Sequence, residues 1–140
     1  NSMVENSHAL GNGGVFHLSY FTRLEISNFS AEHSAAQNGG MLYLDNTDTI
    51  VYLTFDLLNS FNASATSDGG VFWIGDSDLD WALLGQTTLT RSHATNGGTF
   101  FFNKTVTSSD LDSSPNGNII VHDSSAAMNG GVFYMLNVND

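Results

Sequence analysis

A short pattern of polar, glycine and apolar positions occurs five times along the chain. Each copy has Asn or Asp, then two glycines, then four residues that are mostly apolar or aromatic. The copies begin at Asn12, Asn38, Asp68, Asn96 and Asn129. A unit of about 29 residues with variable inserts is typical of a solenoid, and it is short for a propeller blade, which needs roughly 40–45 residues.

The Asn/Asp-Gly-Gly triplet predicts a sharp corner. Asn, Asp and Gly tolerate a positive φ angle, so the chain can reverse direction there. A second glycine also allows the backbone of one coil to lie close to the next. Since a β-prone run follows at once, each triplet is expected to end a turn and start a strand.

The four residues after each corner alternate with period two. Positions two and four are apolar in every copy and are predicted to face the core. Position three then points outward, and in stacked coils it forms an aromatic ladder with a rung every ~4.8 Å. The ladder residues, which are the candidate binding or assembly site, are His17, Tyr43, Trp73, Phe101 and Tyr134. Cover of these side chains by an insert or a second strand layer of the same chain, or assembly with another chain, is favoured over binding of a soluble ligand.

Further strands are predicted between the corners, at 24–29, 50–55, 83–90 and 119–122. Small residues at Ala9, Ala35, Ala65, Ala94 and Ala126 fit a tight inner corner. The inserts 75–81 and 108–118 are predicted to be loops. We therefore expect an all-β, parallel β-helix of about five coils, with residues 1–140 forming one domain.

The corners resemble the repeats of polymorphic outer-membrane proteins, in which a Gly-Gly-aliphatic motif follows a Phe-x-x-Asn segment. Gly13-Gly14-Val15, Gly39-Gly40-Met41, Gly69-Gly70-Val71 and Gly130-Gly131-Val132 match the first motif, and Thr99 departs from it. The spacing of the second is kept at Met3 to Asn6, Phe29 to Glu32 and Ile120 to Asp123. The resemblance implies a right-handed, pectin-lyase-like parallel β-helix. It carries over no catalytic residue.

Composition excludes several partners. The chain has 14 acidic residues, three basic residues and a net charge of −11, which disfavours nucleic acid and anionic membranes. It has no cysteine, so disulfides and thiol chemistry are absent. No apolar stretch approaches the ~20 residues that span a bilayer. Charged residues are only 12% of the chain, against roughly 25% in ordinary domains, so the surface is expected to be uncharged and polar.

The sequence gives little support for a metal site or a catalytic site. Asp76, Asp78 and Asp80 match the first half of an EF-hand loop, but Trp81 replaces its glycine and Thr87 its final glutamate. A solvated acidic turn is favoured over weak calcium binding. The five histidines form no close pair. Because the three basic residues lie on separate coils, a polysaccharide lyase site is not expected, and we predict no enzyme, metal or cofactor.

Three acceptor motifs for N-linked glycans occur, at Asn28, Asn62 and Asn103. Together with the acidic, hydroxyl-rich composition they favour an extracellular or cell-surface protein. Each occupied site is expected to face solvent.

The chain starts and stops within the repeat pattern, and its ends lack the polar caps that solenoids need. We therefore expect a structural protein whose copies stack head-to-tail into a filament, sheath or surface layer, as a segment or subunit of a longer assembly. The alternative is an adhesin segment that binds extracellular polysaccharide through the aromatic ladder.

Overall fold

The computed structural model describes residues 2–20, 22–45, 50–75, 78–103, 110–113 and 119–136. For 50–53, 78–84 and 110–113 it describes the backbone alone. Regular structure in these ranges consists entirely of strands. They are β1 Ser2–Glu5, β2 Phe16–Leu18, β3 Arg23–Glu32, β4 Ala35–Ala36, β5 Leu42–Asp45, β6 Ile50–Phe61, β7 Ser64–Ala65, β8 Phe72–Gly75, β9 Asp78–Leu84, β10 Thr87–Thr90, β11 His93–Asn96, β12 Phe100–Asn103, β13 Asp110–Ser113, β14 Ile119–His122, β15 Ser125–Asn129 and β16 Phe133–Leu136.

The strands form three parallel sheets. The long sheet has the order β1-β3-β6-β10-β14, with β9 and β13 continuing from β6. The short sheet contains β4, β7, β11 and β15, and the aromatic sheet contains β2, β5, β8, β12 and β16. Because each strand pairs in parallel with its counterpart one coil away, the chain is a β-solenoid, which confirms the predicted fold class. It makes about four turns rather than five coils, since five corners enclose only four circuits.

Two strands lie where the sequence predicts loops. Strand β9 pairs with β6, and β13 pairs with β9, Asp110 being opposite Trp81. These segments are rich in aspartate, which is depleted in strands. Backbone pairing with the neighbouring coil therefore overrides local preference here.

The core lies between the sheets and is built from columns of like residues. Leu42, Leu44, Phe72, Ile74, Phe100 and Phe102 are all buried, which confirms the prediction for positions two and four in the middle coils. The Phe72 ring stacks on that of Phe100 at a centroid distance of 4.9 Å. The opposite wall comes from the long sheet, including Phe55, Leu58 and Leu89.

The glycine doublets make the corner between the short and aromatic sheets. The first glycine of each doublet has φ between 59° and 67°, which an L side chain rarely adopts. The second glycine of each doublet is required because the backbone of the next coil approaches too closely to leave room for a Cβ. A Cβ on Gly70 would lie 2.0 Å from the carbonyl oxygen of Gly98 and 2.8 Å from that of His93.

A second corner, between the long and short sheets, uses side-chain-bearing residues in the left-handed conformation. These are Asn6, His33, Asn62, Arg91 and Asp123, with φ between 53° and 57°. The strand register places Glu5 opposite Glu32, and Ser2 rather than Met3 opposite Phe29. The alignment taken from the Phe-x-x-Asn spacing is therefore wrong by one residue in the second coil, because the segment from this corner to the glycine doublet is one residue shorter there.

The same shift changes the alanine column. Pairing aligns Ala36, not Ala35, with Ala65, and Ala94 with Ala126. Ala36, Ala65 and Ala94 are buried, so small residues do occupy the inside of this turn as expected.

Buried hydroxyls fall into two groups. The hydroxyls of Ser34, Ser60 and Thr87 have no hydrogen-bond partner among the residues that the structure describes. By contrast, Thr99 Oγ1 lies 2.7 Å from Ser92 Oγ and 2.6 Å from Ser124 Oγ. An unpaired buried hydroxyl destabilises the fold, and a paired one does not.

We expect Gly70→Ala to lower the free energy of unfolding by about 3 kcal/mol, because the added methyl group would overlap backbone atoms of Gly98 and His93. Gly11→Ala is the matched control, since a Cβ there has no neighbour within 4 Å. Urea unfolding of the two variants measures the difference. Equal stability would contradict the close coil contact.

The two buried threonines should respond oppositely to the same substitution. Thr87→Val removes an unpaired hydroxyl and should raise the free energy of unfolding by about 1 kcal/mol. Thr99→Val breaks two hydrogen bonds and should lower it by about 2 kcal/mol. Denaturation midpoints measured in parallel decide the signs, and a loss of stability in Thr87→Val would show that its hydroxyl is paired.

Candidate functional site

The position-three residues are brought into one register by the aromatic sheet. His17 is opposite Tyr43, Tyr43 opposite Trp73, Trp73 opposite Phe101, and Phe101 opposite Tyr134. The Tyr43 and Trp73 rings stack at 4.3 Å, and Trp73 and Phe101 at 6.0 Å, with interplanar angles of 15° and 12°. His17 meets Tyr43 edge-on at 4.9 Å. The five residues therefore form the continuous column expected from the repeat.

The middle of this column is buried, although position three is predicted to point outward from the core. Tyr43, Trp73 and Phe101 are only 8%, 9% and 5% exposed, and they form a cluster separate from the main core. The rings cover one another, and Gly75 lies so close to Trp73 that a Cβ would meet its ring at 2.2 Å. His17 alone in the column is classed as exposed. The three middle rungs thus lack the open ring face that stacking on a sugar needs.

A second column, of side-chain amides, runs beside the glycine corner. Asn38 Nδ2 donates to Asn12 Oδ1 at 2.9 Å, Asn96 Nδ2 to Asp68 Oδ1 at 2.8 Å, and Asn129 Nδ2 to Asn96 Oδ1 at 2.8 Å. Each bond runs from one coil to the coil before it. The column is broken between Asp68 and Asn38, because a carboxylate has no N–H to donate.

The sequence contains a signal for this column beyond the turn that its residues favour. An amide-bearing residue precedes the glycine doublet in four of five copies. In a parallel stack such residues lie one above another and can bond in series. The amide ladder is thus a property of the stack, and a single corner does not reveal it.

The last coil leaves its core residues uncovered. Phe133 and Met135 are 43% and 57% exposed, whereas Phe100 and Phe102 in the preceding coil are 2% and 7% exposed. One face of the Phe133 ring stacks on Phe100 at 4.8 Å. We call the surface formed by Val132, Phe133, Met135 and Leu136 the uncovered face. Positions two and four are predicted to be interior, but in this coil they are exposed, since among the described residues only the preceding coil packs on them.

The N–H groups of the glycine doublets that are paired all donate to the next coil. The N–H groups of Gly13, Gly14 and Val15 donate to Asn38, Gly39 and Met41 in the next coil, at 2.9, 3.2 and 3.0 Å. The same pattern recurs up to Gly97, Gly98 and Thr99, which donate to the last coil. Among the described residues, nothing accepts from the equivalent N–H groups of Gly130, Gly131 and Val132. Within the described ranges, no backbone donor reaches the corresponding carbonyls of Asn12, Gly13 and Val15.

Two glycan acceptors lie on the sides of the solenoid. Asn28 and Asn62 are exposed and have φ of 53° and 56°, so each stands at a bend of the chain. Asn103, at the end of β12, is partly buried, and the other residues of its motif lie outside the described residues.

The acidic and basic residues considered for a metal or catalytic site are dispersed over the structure. Asp76 lies outside the described residues, and Asp78 and Asp80 belong to strand β9 rather than to a turn. Across the described part of the chain, no three His, Asp or Glu side chains come together as a metal site would require. Arg23 pairs with Glu25 on the surface, and Arg91 lies 5.3 Å from the centroid of the Phe61 ring. Both arginines thus make local surface contacts.

Comparison with family models, curated proteins and solved structures finds no match. Among the residues described, none belongs to a helix long and apolar enough to cross a membrane.

We expect Asp68→Asn to raise the free energy of unfolding by about 1 kcal/mol, because the new amide can donate to Asn38 Oδ1 and complete the ladder. Asn96→Asp is the control, for which we expect the free energy of unfolding to fall. It removes the donor to Asp68, places two carboxylates in neighbouring coils, and should cost about 2 kcal/mol. Thermal unfolding at neutral pH measures both changes, and no gain in Asp68→Asn would contradict the ladder as a source of stability.

Proposed function

We propose that this chain is a structural, non-catalytic β-solenoid of the extracellular space or cell surface. Its copies stack end to end into a filament, sheath or layer. The observation that carries the proposal is the parallel pairing of equivalent residues from coil to coil, a contact that an identical coil of a second copy can continue.

Phe133 and Met135 belong to core columns that are buried in the coils with a neighbour on both sides. Burying apolar surface contributes roughly 25 cal/mol per Å². A partner that covers Phe133 and Met135 as the last coil covers Phe100 and Phe102 therefore gains the same kind of stabilisation as an internal coil contact. A soluble small ligand would cover only part of such a face.

Unpaired strand edges support the same function. Strands β1 and β2 are the outer strands at one end of the long and aromatic sheets, and β14 and β16 end the described strand orders at the other. Such edges bear unpaired N–H and C=O groups and template pairing with another chain. Parallel β-stacking satisfies them and buries the apolar face at the same time.

The exposed positions of Asn28 and Asn62 support N-linked glycosylation as part of this proposal. Both lie on the sides, at bends in the second and third coils, and neither belongs to the uncovered face. Glycans there would hinder side-by-side aggregation and leave the ends free. Peptide mapping of the secreted protein reads their occupancy, and unmodified Asn28 and Asn62 would count against this part of the proposal.

The aromatic ladder serves stability in this proposal. The burial of Tyr43, Trp73 and Phe101 gives no support to glycan binding at the middle rungs, so we assign the ladder to packing between coils. The two described arginines make surface contacts on different coils, which supports a non-catalytic role.

We expect the purified chain to assemble into linear particles whose length rises with protein concentration. The net charge of −11 opposes association, so assembly should strengthen as salt is raised to about 0.15 M, where the Debye length is about 8 Å. Sedimentation velocity measures the assembly, and electron microscopy its shape. A monomer at every concentration and salt level would contradict the proposed function.

A further inference from the structure

We propose that a groove on the outer face of the long sheet holds the innermost sugars of an N-linked glycan attached to Asn28. The proposal rests on the glycosylation included in the proposed function, and it adds where the sugars lie. In this position the glycan packs on the long sheet and stabilises the fold.

The groove lies where the long sheet bends, and its volume is about 400 Å³. It is lined by Leu57, Asn59, Gln86, Thr87, Thr88 and Ile120. Strand pairing puts Asn59, Thr88 and Ile120 side by side on three neighbouring coils. Leu58 and Leu89, which alternate with this row, belong to the core, so the row faces outward. The groove therefore runs across the strands, from one coil to the next.

The acceptor Asn28 lies at the same bend, one coil away from the groove. Ser27 pairs with Asp56 and Phe29 with Leu58, which puts Asn28 beside Leu57. Neighbouring strands are about 4.8 Å apart, and Asn28 is exposed. A glycan on Asn28 that follows the solenoid axis therefore crosses Leu57 first and then enters the groove.

The backbone beside the groove is held in place before any sugar binds. The N–H of Gln86 donates to Asp56 Oδ1 at 3.3 Å, and the N–H of Leu58 donates to the carbonyl oxygen of Gln86 at 2.9 Å. The groove is therefore preformed, and a sugar that enters it does not have to order the chain.

The lining residues match N-acetylglucosamine, the sugar that N-linked glycans attach to asparagine. Its acetamido group and hydroxyls need donors and acceptors, which the amides of Asn59 and Gln86 and the hydroxyl of Thr88 can supply. Within the described part of the chain, no hydrogen bond engages these three side-chain groups. Leu57 and Ile120 are 45% and 36% exposed and offer apolar surface to the acetyl methyl group and the ring carbons. None of the lining residues is charged, which suits an uncharged sugar.

The backbone conformation of Leu57 is a second, independent observation. Its φ is 51°, in the left-handed region, where a non-glycine residue is uncommon and Asn and Asp are enriched. Asn28 occupies the same bend one coil before, with a φ of 53°. An exposed leucine thus stands where an asparagine would be less strained. Such an outlier supports a functional role for the side chain, which we assign to contact with the first sugar.

The effect of the glycan is measured on two secreted variants that each keep one acceptor. Asn62→Gln with Asn103→Gln keeps Asn28. Asn28→Gln with Asn103→Gln keeps Asn62, the matched control, which does not line the groove. Each variant is compared with its own form after an amidase has released the glycan and left aspartate. We expect the glycan on Asn28 to raise the melting temperature by about 4 °C, and that on Asn62 to change it by less than about 1 °C.

Leu57→Asn separates the sugar contact from the stability of the chain itself. Asparagine tolerates the left-handed conformation, so the deglycosylated variant should melt no lower than the parent. It lacks the apolar contact, so the gain from the glycan on Asn28 should fall to less than half. In the glycosylated parent, nuclear Overhauser effects between the acetyl methyl group of the first sugar and the Leu57 methyl groups should report the contact directly.

A free oligosaccharide has the same chemistry, and diacetylchitobiose added to the deglycosylated chain distinguishes the two sources. Attachment to Asn28 holds the sugar near the groove at an effective concentration in the millimolar range. We therefore expect the free disaccharide to shift the NMR signals of Leu57 and Asn59 only above about 1 mM. Binding at concentrations far below this would assign the groove to a free glycan and overturn the attached one.

The outcomes separate the two proposals. If Asn28 carries a glycan but both glycans change the melting temperature equally, or if Leu57→Asn keeps the full gain, the position of the sugars in the groove is overturned and the proposed structural function remains. If Asn28 of the secreted chain is unmodified, the glycosylation in the proposed function is overturned together with the position of the sugars.

Discussion

The close approach of successive coils at the glycine doublets is the constraint on which the other contacts depend. The carbonyl oxygen of each next coil occupies the place where a Cβ of Gly14, Gly40, Gly70 or Gly98 would lie. This contact fixes the separation of the coils at one corner, and parallel pairing at about 4.8 Å fixes it along the sheets. The core, aromatic and amide columns all need that separation, because ring stacking and amide hydrogen bonds fail when rungs move apart.

A parallel stack places identical or similar residues next to each other, which is stabilising for some residue types and destabilising for others. Phe72, Phe100 and Phe133 stack in one column, and Asn96 and Asn129 bond in another. Charges of the same sign in such a column repel each other. The low charged fraction of 12% agrees with this rule, although Glu5 lies opposite Glu32. Asp68 is the one carboxylate in the amide column, where it interrupts the hydrogen bonds without interrupting the strands.

In this geometry, the middle coils of a β-solenoid make apolar contacts and hydrogen bonds on both sides, and a coil at its end makes them on one side only. A middle coil has a neighbour on both sides for its apolar side chains, amides and backbone groups. Among the described residues, the coil that contains Phe133 and Asn129 has a neighbouring coil on one side only. The surface proposed for assembly is therefore the repeating interior of the fold, exposed where the coils end.

The sequence by itself determined the corners, the parallel β-solenoid and the buried residues of the middle coils, because glycine conformation and period-two alternation act within a few residues. Tertiary structure decided the features that depend on pairing between segments 26 to 33 residues apart, which are the register, the added strands and the burial of side chains. It aligned His33 and Arg91 with Asn6 and Asn62, made a strand of Asp78–Leu84, and buried Trp73 between Tyr43 and Phe101. Register between coils is a non-local property, so local preference does not reveal which side chains meet or which face stays uncovered.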